Sequence, residues 1–392
     1  MNSESQTISL DQIRTVAAEH PAPFYVYSSA ALAERAKALT SLHLPFGLTV
    51  RYAVKANPHP EIIRIFNDAG LRFDASSSYE AANLLGLGIP GNSISLSSQQ
   101  PAHNLAELLD EGVQFVATSM HQLELCAAAL PRGGKIGLRV NAGVGSGHSN
   151  GTTTAGRAAS FGLWHEYVED ALKFAREHNL VIDRLHTHIG SGADPAVWGK
   201  AIETSLGIAE RMPDVTTLDM GGGYKVMRAS GEQETNIHDV AAVFSEHLQA
   251  FANKTGRQLH LEIEPGTWLV AHAGALVAEI VDIVDTGREG FTFLRTNTGM
   301  NDFMRPTLYG AQHDIELIGE GGEPQPYIVV GHNCESGDVL TTAPGDPETI
   351  QPRLLPKARI GDLLVIRDTG AYGASLRVKG YNAFPNAHEF LV

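Results

Sequence analysis

The chain has 392 residues, 43% hydrophobic and 19% charged. This is globular usage, which excludes extensive disorder and leaves room for one barrel-sized domain plus a smaller one. Its formal net charge of −15 disfavours a nucleic-acid backbone or an anionic membrane as partner. Its 40 glycines follow no G-X-Y period and point to turns and ligand-approaching loops, and its 2 cysteines, Cys126 and Cys334, cannot form a disulfide framework.

In chain order, Met1–His20 carries Glu4, Asp11 and Glu19 and no apolar run of signal-peptide length. No stretch nears the roughly 18 apolar residues of a membrane helix, so a cytoplasmic protein is expected. The apolar patch Phe24–Tyr27 within residues 1–30 is expected to join a later β domain. Strands are predicted at Leu48–Val54, Leu71–Ala75, Ser93–Leu96, Gln114–Ala117, Lys135–Asn141, Val181–His188, Thr216–Met220 and His260–Glu264. Between them fall helical patterns at Pro60–Ala69, Tyr79–Leu87, Asn104–Glu111, His121–Leu130, Glu166–His178, Pro195–Met212 and His238–Lys254. Asp194 is the predicted N-cap of the Pro195 helix. The alternation predicts a (β/α)8 TIM-like barrel over 31–274, with an open doubly wound sheet as its rival. Beyond it, Ala275–Thr286, Phe291–Asn297, Tyr327–Val330 and Asp362–Asp368 read as strands between Gly/Pro turns, predicting a mostly antiparallel β domain over 275–392.

In such a barrel the chemistry lies at the C-terminal ends of the strands. The first strand runs into Lys55, either a solvated rim lysine or an amine able to form a Schiff base. The second ends at Asp74, which could orient that lysine or cap the next helix. The sixth carries His186 and His188, either a metal pair or an aromatic platform beside the small loop Gly190–Gly192. The seventh ends in Gly221-Gly222-Gly223, where backbone could approach a phosphate without Cβ interference, or which could be a plain loop. The eighth ends at Glu262 and Glu264. An amine, an aromatic platform, phosphate-type loops and a carboxylate together match the demands of pyridoxal 5'-phosphate (PLP). A metal hydrolase would leave the loops and Glu264 without a role.

The segments Tyr52–Asn57, His188–Ser191, Gly221–Gly223, Glu264–Gly266, Arg305–Tyr309, Cys334–Asp338 and Gly370–Gly373 resemble, in the same order, the motifs of fold-type III PLP-dependent amino-acid decarboxylases. Gly299–Asp302 and the Cys334 segment look most like diaminopimelate decarboxylases. The resemblance implies an alanine racemase/ornithine decarboxylase-like fold with Lys55 holding PLP, Asp74 supporting it, His188 stacked on the ring and Glu264 at the pyridine nitrogen. It implies phosphate contacts from Ser191, Gly222, Gly223, Gly266, Thr267 and Tyr372, and no metal. Substrate contacts would come from Arg305, Tyr309, Glu335 and Tyr372. Cys334 would return a proton to the substrate, reaching into the other subunit of a homodimer with shared active sites. The alternative for Cys334 is a small buried hydrophobe.

Two departures bear on substrate. The family pattern has arginine after Glu-Pro-Gly, and here the residue is Thr267, which loses a charge-assisted carboxylate contact worth roughly 1.5–3 kcal/mol. Ser160 stands where lysine often precedes Phe-Gly, and 145–163 reads as a remodelled loop. The expected reaction is PLP-dependent decarboxylation of meso-diaminopimelate to L-lysine. The alternatives are another basic amino acid or a carboxylated polyamine as substrate, a PLP-free regulatory homologue, or a metal-dependent barrel hydrolase.

Overall fold

The computed structural model describes residues 7–143, 145 and 155–392. Residues 146–154 of the predicted remodelled segment, and Glu4, lie outside these residues.

The predicted strands all form: β1 (Leu48–Ala53), β2 (Arg72–Ala75), β3 (Ile94–Leu96), β4 (Gln114–Ala117), β5 (Lys135–Asn141), β6 (Val181–His186), β7 (Thr217–Asp219) and β8 (His260–Ile263). All pair in parallel, β1 lies between β2 and β8, and the β4–β5 pairing closes the ring. The rival open sheet is therefore not what forms. The strands are mostly buried, covered by helices outside and by one another within, and their polar members such as Arg51, Arg184 and Glu262 are buried as partners of one another. Leu163–Trp164 adds to β5 as an extra short strand. The intervening helices begin where side chains satisfy their first N–H groups. Ser77 accepts from Glu80, Ser119 from Gln122, Asn236 from His238, and Asp194 from Ala196. The helix preceding β1 is Ser29–Thr40, capped by Ser28.

The strands stop earlier than the apolar runs suggest, so His188 and Glu264 stand in loops beyond β6 and β8. The Thr187 N–H already turns to the Asp219 carbonyl at 2.8 Å. The expected common strand face for His186 and His188 is thus replaced by a fully buried His186 in β6 and a half-buried His188 in a loop.

A second sheet follows in the order Ile315–Ile318, Leu363–Ile366, Gly274–Asp285, Thr292–Thr296, Gln325–Val330, Arg353–Leu355. Its pairings are antiparallel except Thr292–Thr296 with Gln325–Val330 and Phe24–Tyr27 with His388–Leu391. Phe24–Tyr27 also pairs antiparallel with Gly274–Val277. One continuous core cluster spans barrel and sheet, while Ile8, Ile13, Val16, Phe24, Val26 and Val365 form a smaller one under the helix Leu10–Glu19. Sequence reading did not pick out that helix, although Ser9 and Gln12 make a reciprocal capping box.

Inside the barrel, below its mouth, lies a buried polar cross-tie. Arg51 of β1 grips Glu262 of β8 with two bonds of 2.9 Å. Arg184 of β6 reaches Glu262 at 3.1 Å, and both arginines donate to Gln114 of β4. Removing one member of a buried ion network typically costs about 3–5 kcal/mol, because a charge is left without compensation. Arg51→Met leaves Glu262 its contact with Arg184, so a loss near the lower end, about 3 kcal/mol, is expected from urea denaturation. A loss under about 1 kcal/mol would mean the cross-tie is not what holds these strands in place.

Candidate active site

The mouth of the barrel gathers side chains from six strand ends. Lys55 follows β1 in the turn Val54–Ala56, and its Nζ lies 3.3 Å from Ser76 Oγ beyond β2. The side chain remains exposed in the mouth. Desolvation by surrounding protein pulls its pKa down, but Asp74, then Tyr372 and Glu264, outweigh this and hold the ammonium above its ordinary range. Asp74 is paired in register with Ala53 across β1 and β2, which puts the carboxyl next to the lysine's strand. Burial raises the Asp74 pKa against the opposing pull of Lys55 and Arg139.

Opposite stands a cluster of His186, Asp219 and Glu264, whose nearest ligand-type atoms lie within 4.8 Å of one another. The His186 Nε2 is 3.4 Å from Glu264 Oε2. Burial first, then Asp219 and Asp74, raise Glu264 well above the carboxylate range, and burial and Glu262 lift Asp219 to about 6. Burial and then Arg139 hold both His186 and His188 well below the usual histidine range, so both rings are neutral. Geometrically the acidic cluster could also accept a cation, but His188 is not part of it. The two-histidine metal pair is therefore not assembled among the described residues.

The Gly222 N–H donates to His188 Nδ1 at 3.1 Å, which fixes the tautomer with hydrogen on Nε2 and sets the ring plane. Close approach of three loops explains the glycine run. A Cβ on Gly222 would lie 2.2 Å from the Glu264 carbonyl, and one on Gly223 would lie 1.9 Å from that of Gly190, at φ +104°. The need for glycine is thus set by contacts between the loops after β6, β7 and β8, a tighter constraint than the open phosphate approach expected from sequence. Gly192 seals the junction, donating to the Gly223 carbonyl at 3.1 Å, with half-buried Ser191 beside it. On the β8 side, Gly266 packs against Ala53 and Ala56, and Thr267 opens the short helix Thr267–Val270.

Tyr372 comes from the second domain. Its N–H donates to the Ala56 carbonyl at 2.8 Å, Ser375 Oγ reaches the same oxygen, and Asn57 Nδ2 holds the Gly370 carbonyl at 3.0 Å. These bonds clamp the segment onto the residues just after Lys55 and hold Tyr372 at φ +55°, a left-handed conformation unusual for tyrosine. Arg305, half-buried, donates from Nε to His313 Nε2 at 3.4 Å, and its Cζ lies 5.9 Å from the Tyr309 ring centre.

Cys334 and Glu335 are not brought to this mouth within the chain. Cys334 is exposed, contrary to the buried-hydrophobe alternative, and its N–H donates to Asn382 Oδ1 at 2.7 Å. Glu335 accepts from the Tyr381 hydroxyl at 3.2 Å. Asp338 braces their loop, taking bonds from Met300 N–H and Asn333 N–H.

Sequence reading missed Arg139 and His313. Arg139 lies over Phe161 at 5.0 Å and acts electrostatically on Lys55, Asp74, Glu264 and both mouth histidines. A lone arginine in the C-terminal half of an apolar barrel strand was the available signal. His313 sits in an irregular segment that offered none.

The family model for the pyridoxal binding domain of pyridoxal-dependent decarboxylases matches residues 30–271. A diaminopimelate decarboxylase of Streptomyces coelicolor is 32% identical over 97% of this chain and 87% of its own length. One from Escherichia coli K12 is 30% identical over 99% of this chain and 93% of its own. A crystal structure of diaminopimelate decarboxylase superposes with a TM-score of 0.91 at 29% identity, covering 100% of this chain and 93% of that one. The chain belongs to the pyridoxal-dependent decarboxylases, and PLP is its cofactor.

The mouth fits that group on its own evidence. Buried polar atoms without a hydrogen-bond partner concentrate there: Asp74 Oδ1, both His186 ring nitrogens, Asp219 Oδ2, Glu264 Oε1 and the Tyr224 hydroxyl. An amine faces them, as the cofactor's aldehyde requires.

Proposed function

We infer that the chain decarboxylates meso-diaminopimelate, giving L-lysine and carbon dioxide. The observation that carries this reading is the Lys55 amine at the barrel mouth, opposite the His186–Glu264 pair and with the Tyr372 segment clamped onto the Ala56 carbonyl beside it. The full-length likeness to diaminopimelate decarboxylases supports it.

When bound, PLP supplies an aldehyde that condenses with amines and an electron-poor ring that takes up the electron pair left by the departing carboxylate. Lys55 Nζ would hold the cofactor through its aldehyde, with Asp74 supporting the lysine. Glu264 would share a proton with the ring nitrogen. His188, neutral and held by Gly222, would offer its ring to the cofactor. Ser191, Gly222, Gly223, Gly266 and Thr267 bind the phosphate through neutral donors, with Tyr372 closing over it; local backbone dipoles do this in a protein of strongly negative net charge. Arg305 and Tyr309 hold the substrate. Cys334 would deliver the proton to Cα by reaching into the site of a second subunit, and Glu335 would contact the substrate. The exposure of both residues on their own chain supports a homodimer with shared sites. In this reading 31–274 is the cofactor domain, 275–392 with the 1–30 segment is the second domain, and the enzyme works in the cytoplasm. Among the described residues no helix is long and apolar enough to cross a membrane.

Thr267 favours one second reading, a basic amino acid or carboxylated polyamine as substrate. Carbon dioxide release measured side by side on diaminopimelate, lysine, ornithine and arginine decides between them. The first reading expects diaminopimelate to lead in kcat/KM by about 100-fold or more, because a site built for a carboxylate is left unpaired by substrates lacking one. Comparable or better turnover of the monocarboxylates replaces it by the second.

A further inference from the structure

The loop after β7 brings a second arginine to the corner occupied by Arg305. The Asp314 N–H donates to the Arg228 carbonyl at 3.2 Å, which sets Arg228 beside His313, the residue that orients Arg305. The His313 Nδ1 lies 2.7 Å from the Arg367 carbonyl, which can only accept. Hydrogen therefore sits on Nδ1, and Nε2 is free to accept the Arg305 Nε–H. This neutral histidine engages the Nε of the Arg305 guanidinium and not its terminal amino groups.

Arg228 is half-buried and its Nε is buried with no hydrogen-bond partner. The neighbouring carboxylate of Glu232 accepts the Arg228 backbone N–H at 2.9 Å and makes no ion pair with the guanidinium. Burial and then Arg228 bring the Arg305 pKa down to about 9, and burial, Arg305 and Arg228 keep His313 neutral. Both arginines are electrostatic neighbours of Tyr372, which ties this corner to Lys55. Glu232 and Asp368 offset part of this charge electrostatically, but the buried Arg228 Nε keeps no hydrogen-bond partner, and an unsatisfied cationic donor fits an anionic ligand. Tyr372, whose N–H bonds the Ala56 carbonyl just after Lys55, ties this corner to the mouth, so the anion we assign to it is the substrate's.

We propose that Arg228, together with Arg305, binds the carboxylate that a diamino dicarboxylic acid keeps after decarboxylation. Arg228 thereby supplies from the loop after β7 the guanidinium that Thr267 does not supply from the loop after β8. This deepens the proposed function and rests on it. It also assigns specificity: lysine or ornithine would bring a far ammonium, without a carboxylate, up to two guanidinium groups, and the site rejects them by repulsion.

The test uses PLP-loaded wild type, Arg228→Met and Arg228→Lys. Steady-state carbon dioxide release from meso-diaminopimelate is expected to show KM raised about 30–100-fold in Arg228→Met, with kcat changed far less, and partial recovery in Arg228→Lys. The cofactor absorption band serves as the check that each variant is folded and loaded. Calorimetric titration with pimelate, a diacid of the same chain length without amines, gives a readout independent of turnover. Binding to wild type that weakens at least tenfold in Arg228→Met is expected. Unchanged KM and unchanged pimelate affinity, or no pimelate binding by wild type, overturns the assignment. So does loss of PLP retention with an unchanged KM, which would give Arg228 to the phosphate. If wild type does not decarboxylate diaminopimelate, the proposed function fails, and the pimelate titration still decides the role of Arg228.

Discussion

Replacing Lys55 with alanine is expected to lower carbon dioxide release by roughly 10⁴-fold, because this amine is the group that would hold the cofactor covalently. The expected companion result is loss of the absorption band of the lysine-bound cofactor and of the borohydride-stable label at this position. Lys55→Arg should do no better, since a guanidinium keeps its charge and does not condense with an aldehyde under these conditions. The fold itself should tolerate both changes: Lys55 is exposed, and its one hydrogen bond is a 3.3 Å contact with Ser76. Activity within tenfold of wild type, or a borohydride label on another lysine, would show that the amine has been misassigned.

Glu264→Gln is expected to lower kcat by about 10²–10³-fold, the range seen when one preorganised charge-stabilising group is lost. The substitution keeps shape and removes charge. Glu264 lies in a buried cluster where its pKa is raised well above normal by burial and by Asp219 and Asp74. Burial and the two neighbouring carboxyls thus favour the neutral form of Glu264, and a basic ring nitrogen placed against it would share that proton. Glutamine has an amide in the same place and no such proton to yield. Substrate KM should change much less than kcat, because Glu264 touches the ring and not the substrate's far end. A variant with normal kcat would falsify the pairing of Glu264 with the ring nitrogen.

The barrel was legible from sequence because its strands are buried on both faces and read as short apolar runs between amphipathic helices capped by Ser, Asp and Asn. The candidate site was legible for the same reason, since polar residues at the ends of such runs stand out: Lys55, Asp74, His186 and Glu264. The cap of Leu10–Glu19 was present in Ser9 and Gln12 but lay outside the alternating pattern, and so the helix was not predicted.

Chemistry set by neighbours far apart in the chain was not legible. Tyr372, reached in the sequence only through the family resemblance, is tied to the mouth by its backbone bond to Ala56, and Arg139 comes there because ring closure sets β5 between β4 and β6, across the barrel from the strand of Lys55. The sequence also showed that the arginine expected after Glu-Pro-Gly is absent, with Thr267 in its place. Where a substitute guanidinium could come from was decided by the bond between Asp314 and Arg228, which spans loops from different domains. Local pattern specifies elements and their ends because propensity and burial act over a few residues. Which charges face each other depends on closure of the ring and docking of the second domain, and these contacts link residues hundreds of positions apart, leaving no period in the chain to read.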